Sequence, residues 1–286
     1  KVYFDTVGIH FLCLYNMHTK AAEILDTFQK EINQKLPGFI EGFYVYGSLG
    51  LDDFHPKKSD IDFTAICKQK PDNQQIKTLN SIHKTIQKQN RKPNLNGIYL
   101  IWDDLGKTKN EIDTFPYFYE GKMYSAEHFE INPVTWFELK NFGITIFGKD
   151  IREANFEVSE EYLIRYVHEN MHSYWADWLK KHSTRTNWQY WAFIYFDRLI
   201  EWGVLGIARQ YYTLKTKNVT SKSGAGEYCL KHCPSMFHNI LKEAVRIRKN
   251  QKGKIYPSKW WRVKEATDFM NYILKECNRP VENFLL

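Results

Sequence analysis

Two short motifs in the first quarter of the chain constrain its fold most strongly. The run from 43 to 46 is aromatic and β-branched, which predicts a buried strand, and Gly47-Ser48 follows it directly. A glycine at that point lets the backbone turn closely enough for amide groups and the Ser48 hydroxyl to meet a triphosphate. Ser59 then precedes a second predicted strand, which begins at Ile61. These residues predict a phosphate cradle within a hairpin-sized segment.

Asp60 and Asp62 flank Ile61 at the start of the second strand. Because side chains alternate along a strand, both carboxylates should lie on one face, about 7 Å apart at ~3.4 Å per residue. Hard oxygen ligands at that separation suit magnesium ions that bridge nucleotide phosphates. The plain alternative is a turn rich in Asp, Gly and Ser that has no function. The two motifs together favour the metal site.

The composition is that of an ordered globular protein. The 286 residues are 43% hydrophobic and 16% aromatic, which is enough apolar material to fill two domain cores. Neither a Pro/Ser/Gly-rich tract nor a repeat of fixed period interrupts the chain. The apolar run from 9 to 15 is too short to span a membrane and lacks a cleavage signature. We therefore expect a cytoplasmic protein without a membrane partner.

The five cysteines are an odd number, which fits reduced thiols better than a disulfide framework. Cys229 and Cys233 have the spacing to face each other on a helix, with His232 and His238 nearby. That spacing matches no common zinc pattern. We therefore expect buried structural cysteines here.

The formal net charge of +7 would suit a polyanionic partner such as nucleic acid. Basic residues are densest from Lys242 to Lys264. This basic segment is either a solvated surface or a rim that faces phosphates. No nucleic-acid recognition module accompanies it.

Helical and strand patterns alternate in the first half of the chain. The predicted elements are helices over 21–32 and 76–86, strands over 43–46, 61–66 and 97–102, and further strands or loops over 124–131 and 144–147. Pro37-Gly38 ends the first helix before the first strand. The order α-β-β-α-β predicts an α+β domain.

The second half of the chain has helical patterns throughout. The predicted helices cover 163–178, 188–212, 225–230, 236–248 and 258–277. Ser159 is the expected N-cap of the first of them. These patterns predict an all-helical bundle.

Several segments resemble those of one family. They are Gly47-Ser48 with Ser59-Asp60-Ile61-Asp62, Leu95 to Tyr99 leading to Asp103-Asp104-Leu105, and Asn132 to Trp136 with 143–148. In the second half, 205–213 followed by Val219 to Lys222 is similar to the C-terminal domain of streptomycin and spectinomycin adenylyltransferases. From about 21 to 248 the chain looks like an aminoglycoside adenylyltransferase of the nucleotidyltransferase superfamily.

The resemblance implies a nucleotidyltransferase-fold domain over 1–157, with a mixed sheet and flanking helices, and a helical substrate-binding domain over 158–286. It implies transfer of AMP from ATP to a hydroxyl of an antibiotic held between the two domains. The expected ligands are ATP, Mg²⁺ and that small molecule. A nucleic-acid partner is not expected, and the protein is expected to be a monomer.

The resemblance also assigns roles to residues of this sequence. The implied site residues are Gly47, Ser48 and Ser59 for the phosphates, Asp60 and Asp62 for the metal, and Lys222 for the triphosphate. If Lys222 reaches the triphosphate, the nucleotide itself would hold the two domains together.

Asn96 departs from the family pattern. Family members carry a carboxylate on the third strand, immediately before the segment that matches Gly97-Ile98-Tyr99. The resemblance makes that acid the general base or, in relatives, a further metal ligand. An amide accepts a hydrogen bond but takes up no proton near neutral pH. Asn96 is therefore a catalytic candidate whose presence predicts impaired activity.

Three interpretations of this departure remain open. The chain is a working enzyme whose base is Asp103, Asp104 or a water molecule held by Asn96, or it is a variant made inactive by exchanging an acid for its amide. The third interpretation is a non-catalytic nucleotide-binding or RNA-interacting protein that uses the basic segment. The retention of Asp60 and Asp62 disfavours a protein that has lost catalysis.

An aminoglycoside carries several ammonium groups, so its site needs acidic and aromatic walls. The helical half offers Glu169, Asp177, Asp197 and Glu201 beside Trp175, Trp178, Trp188 and Trp191. Asp177, Asp197 and Trp191 are the predicted substrate residues. The alternative for the tryptophans is core packing, and for Asp197 it is a salt bridge to Arg198 or Arg185.

Overall fold

The computed structural model describes residues 17–285 and divides into two compact units between Val158 and Ser159. The boundary expected from the sequence lay one residue earlier, after residue 157. The first unit contains a mixed sheet with flanking helices, and the second is helical. The predicted α+β class is therefore confirmed. The apolar run from 9 to 15 lies outside the described residues.

A six-stranded sheet with the order β5-β4-β3-β2-β1-β6 forms the centre of the first unit. Its strands are β1 (Ile40–Tyr46), β2 (Ile61–Cys67), β3 (Leu95–Leu100), β4 (Phe115–Tyr119), β5 (Lys122–Glu127) and β6 (Ile144–Phe147). The flanking helices are α1 (Thr19–Lys35), α2 (Asn73–Gln89) and α3 (Pro133–Phe142). Strands β2 and β3 are parallel, and the other neighbouring pairs of these six strands are antiparallel. The predicted α-β-β-α-β core is present.

The two faces of this sheet bury different side chains, because residues alternate along each strand. Phe43 and Phe63 belong to the core cluster that includes residues of α1 and α2. Tyr46 and Ile66 belong to a second cluster, which includes Trp136 of α3. The even-numbered residues at the start of β2 therefore share the face that α3 covers.

Polar caps fix where the flanking helices begin. Asp72 accepts a hydrogen bond from the backbone N–H of Gln75, and the Gln75 side chain accepts one from the N–H of Asp72. At the start of α3, the Asn132 side chain accepts from the N–H of Thr135, and Pro133 occupies the first helical position.

The predicted third strand is shifted in the structure. It was expected over 97–102, but β3 ends at Leu100 because the N–H of Ile101 donates to the carboxylate of Asp104 at 3.2 Å. Trp102–Asp104 then forms a 3₁₀ turn. As β3 begins at Leu95, Asn96 lies within the strand.

Strand β4 and helix α3 were not predicted from the sequence. Pro116 interrupts the strand pattern of β4, since proline cannot donate to a ladder. The pairing with β5 accommodates it through a register shift between Phe115 and Tyr117. Helix α3 has ten residues, too short for a clear helical period.

The second unit is built from helices that follow Ser159, whose Oγ accepts from the N–H of Tyr162 as the predicted N-cap. These helices are α4 (Glu160–Asn170), α5 (Ala176–Ser183), α6 (Trp188–Tyr195), α7 (Asp197–Thr216), α8 (Lys222–His232), α9 (His238–Arg248) and α10 (Lys259–Glu276). A π-helical turn, Met171–Trp175, joins α4 to α5.

The single helix predicted over 188–212 is wrong. It is broken at Phe196, whose backbone is extended with φ −105° and ψ 110°. The N–H of Phe196 donates to the carbonyl of Ala192 and so ends α6. Asp197 begins α7, where a carboxylate is favoured by the positive end of the helix dipole. The break was hidden because apolar residues continue on both sides of it.

Tryptophan side chains of the second unit pack against glycines of α7. Trp175 and Trp178 are buried, which confirms core packing for these two. A Cβ atom at Gly206 would lie 2.2 Å from Cη2 of Trp175, and one at Gly203 would lie 2.8 Å from Cη2 of Trp178. The glycines therefore leave the space that the indole rings fill.

The cysteines that the structure describes are free thiols, and all of them are buried: Cys67, Cys229, Cys233 and Cys277. Over residues 17–285, no group of three or more His, Cys, Asp or Glu side chains is arranged to hold a metal ion. The prediction of structural cysteines at 229 and 233 agrees with both findings. In the same part of the chain, no helix is long and apolar enough to cross a membrane.

Candidate active site

Gly47 follows β1 in a conformation that a side chain would disturb. Its φ is +63°, in the left-handed region that favours glycine. A Cβ atom on Gly47 would lie 2.5 Å from Oδ2 of Asp62. The absence of a side chain thus allows the backbone to turn directly beside a carboxylate.

Ser48 carries a buried hydroxyl without a partner. Its Oγ has no hydrogen bond to any of the residues that the structure describes. An unsatisfied buried polar atom costs about 1–3 kcal/mol, so such atoms are rare in folded proteins. A phosphate oxygen beside the Gly47 turn would satisfy this hydroxyl. The phosphate-binding role of Gly47 and Ser48 stays a prediction, and the geometry of the turn is compatible with it.

Ser59 is tied into the loop between β1 and β2. Its Oγ accepts from the N–H of His55 at 3.0 Å, and its own N–H donates to the carbonyl of His55 at 2.7 Å. His55 Nε2 in turn lies 3.0 Å from Oδ1 of Asp53. These bonds fix the end of the loop just before Asp60. They give Ser59 a structural role beside the phosphate-binding role predicted for it.

Asp60 and Asp62 provide a donor set that fits Mg²⁺. Ile61 between them belongs to the α1–α2 core, so strand alternation directs Asp62 to the opposite face. Oδ1 of Asp60 accepts from Nζ of Lys92 at 3.2 Å and from the N–H of Asn94 at 3.3 Å. Magnesium takes one or two protein carboxylates and completes its octahedron with phosphate oxygens and water.

Asn96 lies directly beside Asp62. The two are register partners on the parallel strands β2 and β3, and Tyr46 is the partner of Asp62 on its other side. Asn96 is buried, and its Oδ1 accepts from the N–H of Glu120 at 3.2 Å. The amide therefore occupies the place at which the family pattern has an acid.

Asp103 and Asp104 lie at the wrong end of β3 to replace that acid. From Asn96 to Leu100 the strand advances about 13 Å at ~3.3 Å per residue. The two aspartates follow that far end, and Asp104 is buried with its carboxylate bonded to the N–H of Ile101. This placement argues against either as the base, because both motifs of the site lie at the opposite edge of the sheet.

Further carboxylates act on the phenol of Tyr46, the last residue of β1. Tyr46 is buried, and burial raises its pKa well above the ordinary value. The negative charges of Glu130, Asp62 and Glu138 raise that pKa further. Neither glutamate was predicted from the sequence. The cap pattern at residue 132 was the one local signal that a helix would bring them to the sheet.

Lys222 lies among charged and aromatic side chains of the second unit. It is the first residue of α8, after the N-cap Ser221. Its Nζ lies 3.9 Å from Oε1 of the buried Glu201 and 4.9 Å from the centre of the Trp202 ring. The Ser221 cap fixes the backbone from which this ammonium group extends.

The surroundings of Lys222 contain more positive than negative charge. Burial, helped by the charges of Arg248, Arg209 and Arg198 and opposed by that of Glu201, lowers the pKa of Lys222 to about 8. Arg248 also contacts Glu201, with Nη1 3.5 Å from Oε1. A bound polyphosphate would neutralise this excess of positive charge.

Two family models match the chain. Residues 25–119 match the nucleotidyltransferase domain, a range that includes the Gly47 turn, Asp60 and Asp62. Residues 193–276 match the C-terminal domain of aminoglycoside adenylyltransferase, and this range includes Lys222. The chain belongs to the aminoglycoside adenylyltransferases of the nucleotidyltransferase superfamily. It is accordingly an enzyme of the nucleotidyltransferase class.

A solved structure has a similar fold. It is the spectinomycin adenyltransferase AAD(9) from Enterococcus faecialis, crystallised with ATP and spectinomycin. The TM-score is 0.63 at 15% sequence identity, and the match covers 88% of this chain and 98% of that one. Comparison with curated proteins gave no match.

In this member of the aminoglycoside adenylyltransferases, Asp197 pairs with an arginine that the sequence did not suggest. Its Oδ1 lies 2.6 Å from Nη1 of Arg262, on α10. Asp197 thus forms a salt bridge, which was the alternative considered for it, but its partner is neither Arg198 nor Arg185. Arg262 is 65 residues away along the chain, and only the packing of α7 against α10 brings it near.

Two tryptophans of this adenylyltransferase are exposed, so core packing, the alternative considered for them, is wrong at these positions. Trp188 is 73% exposed and Trp191 is 45% exposed. The Trp191 ring packs edge-on against Trp260 at 5.6 Å between centroids, and its indole N–H donates to the carbonyl of Arg185. Trp191 thus presents part of an aromatic face to solvent.

Asp177, the third predicted substrate residue, forms a surface ion pair. Its Oδ2 lies 2.6 Å from Nζ of Lys181, one turn later on α5, and both side chains are more than half exposed. Such a pair contributes little to stability. The carboxylate therefore remains accessible to a cationic ligand that displaces Lys181.

Proposed function

We propose that this enzyme transfers AMP from ATP to a hydroxyl of an aminoglycoside-type antibiotic in a magnesium-dependent reaction. The observation that carries the proposal is the buried, unpartnered hydroxyl of Ser48 beside a glycine turn that contacts Asp62. ATP and spectinomycin in the similarly folded AAD(9) structure support the choice of ligands.

In the first unit, the backbone at Gly47 and the hydroxyls of Ser48 and Ser59 would bind the phosphates. Asp60 and Asp62 would hold Mg²⁺, which when bound neutralises negative charge on the phosphate oxygens. The Lys92 contact of Asp60 would give way to the metal or move to a phosphate oxygen. Positioning of the nucleotide by these groups would supply much of the rate enhancement.

Lys222 would bind the triphosphate through its ammonium group. This role rests on the family resemblance and on the excess of arginine around it. Phosphate binding would raise the pKa of Lys222 again, because an anion stabilises the charged form.

The antibiotic would be bound by Asp177, Asp197 and Trp191. The exposed ring of Trp191 can stack on a sugar or contact an ammonium group. Asp197 would share its carboxylate between the ligand and Arg262, so it would attract a cation less strongly than a free carboxylate.

Mass spectrometry tests the proposal directly. The protein is incubated with ATP, Mg²⁺ and either spectinomycin or streptomycin, and the antibiotic is examined for the mass of one added adenylyl group. We expect the addition with the wild-type chain and its loss in Asp60→Asn and Asp62→Asn. Asp26→Asn, an exposed aspartate on α1, is the matched control and should retain activity. Adenylylation by the Asp62 variant at the wild-type rate would refute the metal assignment.

We propose further that Asn96 limits the rate. Replacing it with Glu or Asp would restore the family acid beside Asp62 and should raise turnover. Equal rates in all three proteins, measured by pyrophosphate release, would show that position 96 does not limit transfer.

A further inference from the structure

Adenylyl transfer requires a proton acceptor for the attacking hydroxyl, and Asn96 cannot take up that proton. Its side chain is also fixed, since Oδ1 accepts from the N–H of Glu120 at 3.2 Å. Asp103 and Asp104 lie at the opposite end of β3. If the acceptor is not a water molecule held by Asn96, it must therefore be a side chain on another element at the Asp62 end of the sheet.

Helix α3 and the loop before it bring two carboxylates to that end. Phe129 and Ile131, on either side of Glu130, pack against the cluster that contains Tyr46, the register partner of Asp62. The Phe129 and Tyr119 ring centroids are 4.8 Å apart, and Tyr119 precedes Glu120, whose N–H donates to Asn96.

Leu139, beside Glu138 on α3, belongs to the same cluster, and the charges of both glutamates act on the Tyr46 phenol. The two differ in exposure: Glu138 is buried within α3, whereas Glu130 is exposed in the loop between β5 and α3. Because a base must meet the hydroxyl of an incoming substrate, Glu130 satisfies the requirement and Glu138 does not.

The chain around Glu130 is built to hold its carboxylate near the start of α3. Glu130 has a φ of +58°, a left-handed conformation that costs a non-glycine residue about 1–2 kcal/mol. Oε2 of Glu130 accepts from Oγ1 of Thr135 at 3.3 Å. The Asn132 side chain donates to the carbonyl of Glu130 at 3.3 Å and to Thr135 Oγ1 at 3.1 Å. The Asn132 side chain thus caps α3 and also bonds the backbone carbonyl of Glu130.

A second observation marks this edge as the place where substrate is bound. The unpartnered Ser48 hydroxyl is two residues from Tyr46, and Gly47 between them contacts Asp62. The phosphate cradle, the metal ligands and the glutamate loop therefore converge on the end of β1.

We propose that Glu130 is the general base of this enzyme and replaces the third-strand acid that Asn96 lacks. The inference rests on the proposed function. In the step, the acceptor O–H bond breaks and its proton passes to the Glu130 carboxylate. The hydroxyl oxygen forms a bond to the α-phosphorus of ATP, and the bond from that phosphorus to pyrophosphate breaks. The products are the adenylylated acceptor, pyrophosphate and one proton.

The test compares Glu130→Gln with Glu127→Gln, a matched control. Glu127 is an exposed glutamate at the end of β5, just before the loop that carries Glu130, and its carboxylate accepts from the Tyr117 hydroxyl. Initial rates are measured by pyrophosphate release with ATP, Mg²⁺ and spectinomycin or streptomycin. Glu130→Gln should lower kcat by about 100-fold or more and leave the KM for ATP unchanged, because a positioned base contributes 10²–10⁴-fold. Glu127→Gln should resemble the wild type.

Restoring activity with a second substitution distinguishes a catalytic role of Glu130 from a structural one. The double variant Glu130→Gln/Asn96→Glu should regain activity, because the restored acid on β3 makes Glu130 dispensable, whereas a misfolded loop would not be repaired from β3. Thermal unfolding of each variant checks the fold. A raised KM for the antibiotic with unchanged kcat would overturn the assignment in favour of a substrate contact.

The same experiment separates failure of this inference from failure of the proposed function. An inactive wild-type chain that becomes active as Asn96→Glu would overturn the role of Glu130 and leave the reaction in place. Full activity in Glu130→Gln would do the same. Absence of ATP binding by calorimetry, together with inactivity of both the wild type and Asn96→Glu, would reject both.

Discussion

Gly47 is required both for its backbone conformation and for the space beside Asp62. Gly47→Ala adds a Cβ atom 2.5 Å from Oδ2 of Asp62 at a φ of +63°. The left-handed conformation alone costs about 1–2 kcal/mol, and the clash displaces either the turn or the carboxylate. We expect ATP affinity to fall at least tenfold, as measured by isothermal titration calorimetry.

Gly38 offers a matched control for that substitution. Its φ is +68°, but a Cβ atom there would have no heavy atom within 4 Å. Gly38→Ala should therefore lower the free energy of unfolding, measured with urea, by about as much as Gly47→Ala. It should bind ATP like the wild type. Wild-type ATP affinity in Gly47→Ala would contradict the cradle.

If Lys222 binds the triphosphate as proposed, nucleotide binding should depend on pH. Burial lowers its pKa to about 8 in the folded protein, so the ammonium charge is present below that pH and is lost above it. ATP affinity should therefore fall between pH 7 and pH 9, which calorimetry can follow. Lys222→Met should bind more weakly and with a flatter dependence over that range. Identical pH profiles for the two proteins would exclude Lys222 from the site.

Helices α7, α9 and α10 are joined by a buried ionic network. Arg262 on α10 contacts Asp197 on α7 at 2.6 Å and Glu243 on α9 at 3.5 Å, and Glu243 is fully buried. Removing one partner of a buried pair typically costs about 3–5 kcal/mol. Arg262→Met should therefore lower the free energy of unfolding by about that amount in urea. Lys264→Met, on an exposed pair of the same helix, should change it by less than about 1 kcal/mol.

The same network predicts sensitivity to acid. Burial alone would raise the pKa of Glu243, but hydrogen bonds from Arg246 and Ile255 and the charges of Arg246 and Arg262 bring it below its ordinary value of 4.5. A carboxylate with a depressed folded-state pKa stabilises the fold above its unfolded-state pKa and loses that contribution as the pH falls. Stability should thus decrease below about pH 4.5. Urea titrations of Glu243→Gln should show a weaker decrease, and an equal one would contradict the assignment.

Helices and strands were predictable where local periodicity is long enough. Helices α1 and α2 have clear apolar stripes, and the cap of α4 at Ser159 lies where its residue type indicated. The ten-residue α3 and the proline-containing β4 were missed, because their formation depends on neighbouring strands. The break at Phe196 was missed for the opposite reason, since both adjoining helices are apolar.

The net charge of +7 suggests a polyanionic partner for the whole chain, but much of the basic segment is already paired. The pairs are Arg246 and Arg262 with Glu243, Lys249 with Glu227, and Lys264 with Asp268. Cations neutralised in this way contribute little to phosphate binding. A compact triphosphate is therefore a better match than a long RNA.

Thermal shift assays distinguish these partners. ATP with Mg²⁺ should stabilise the protein by about 2.7 kcal/mol at 100 times its Kd, because it binds only the folded state. An RNA oligonucleotide should have no effect at physiological salt, and EDTA should remove most of the shift given by ATP. Stabilisation by RNA but not by ATP would favour the RNA-interacting alternative.

The sequence by itself determined the α-β-β-α-β order, the helical second half, the glycine turn and the carboxylate pair on β2. These features depend on periodicity and on residues within a few positions of one another. Only the tertiary structure decided that Asn96 lies beside Asp62, that the loop carrying Glu130 packs against the cluster with Tyr46 and that Arg262 pairs with Asp197. Such contacts join residues far apart in the chain, and strand register and helix packing, which no local pattern encodes, bring them together.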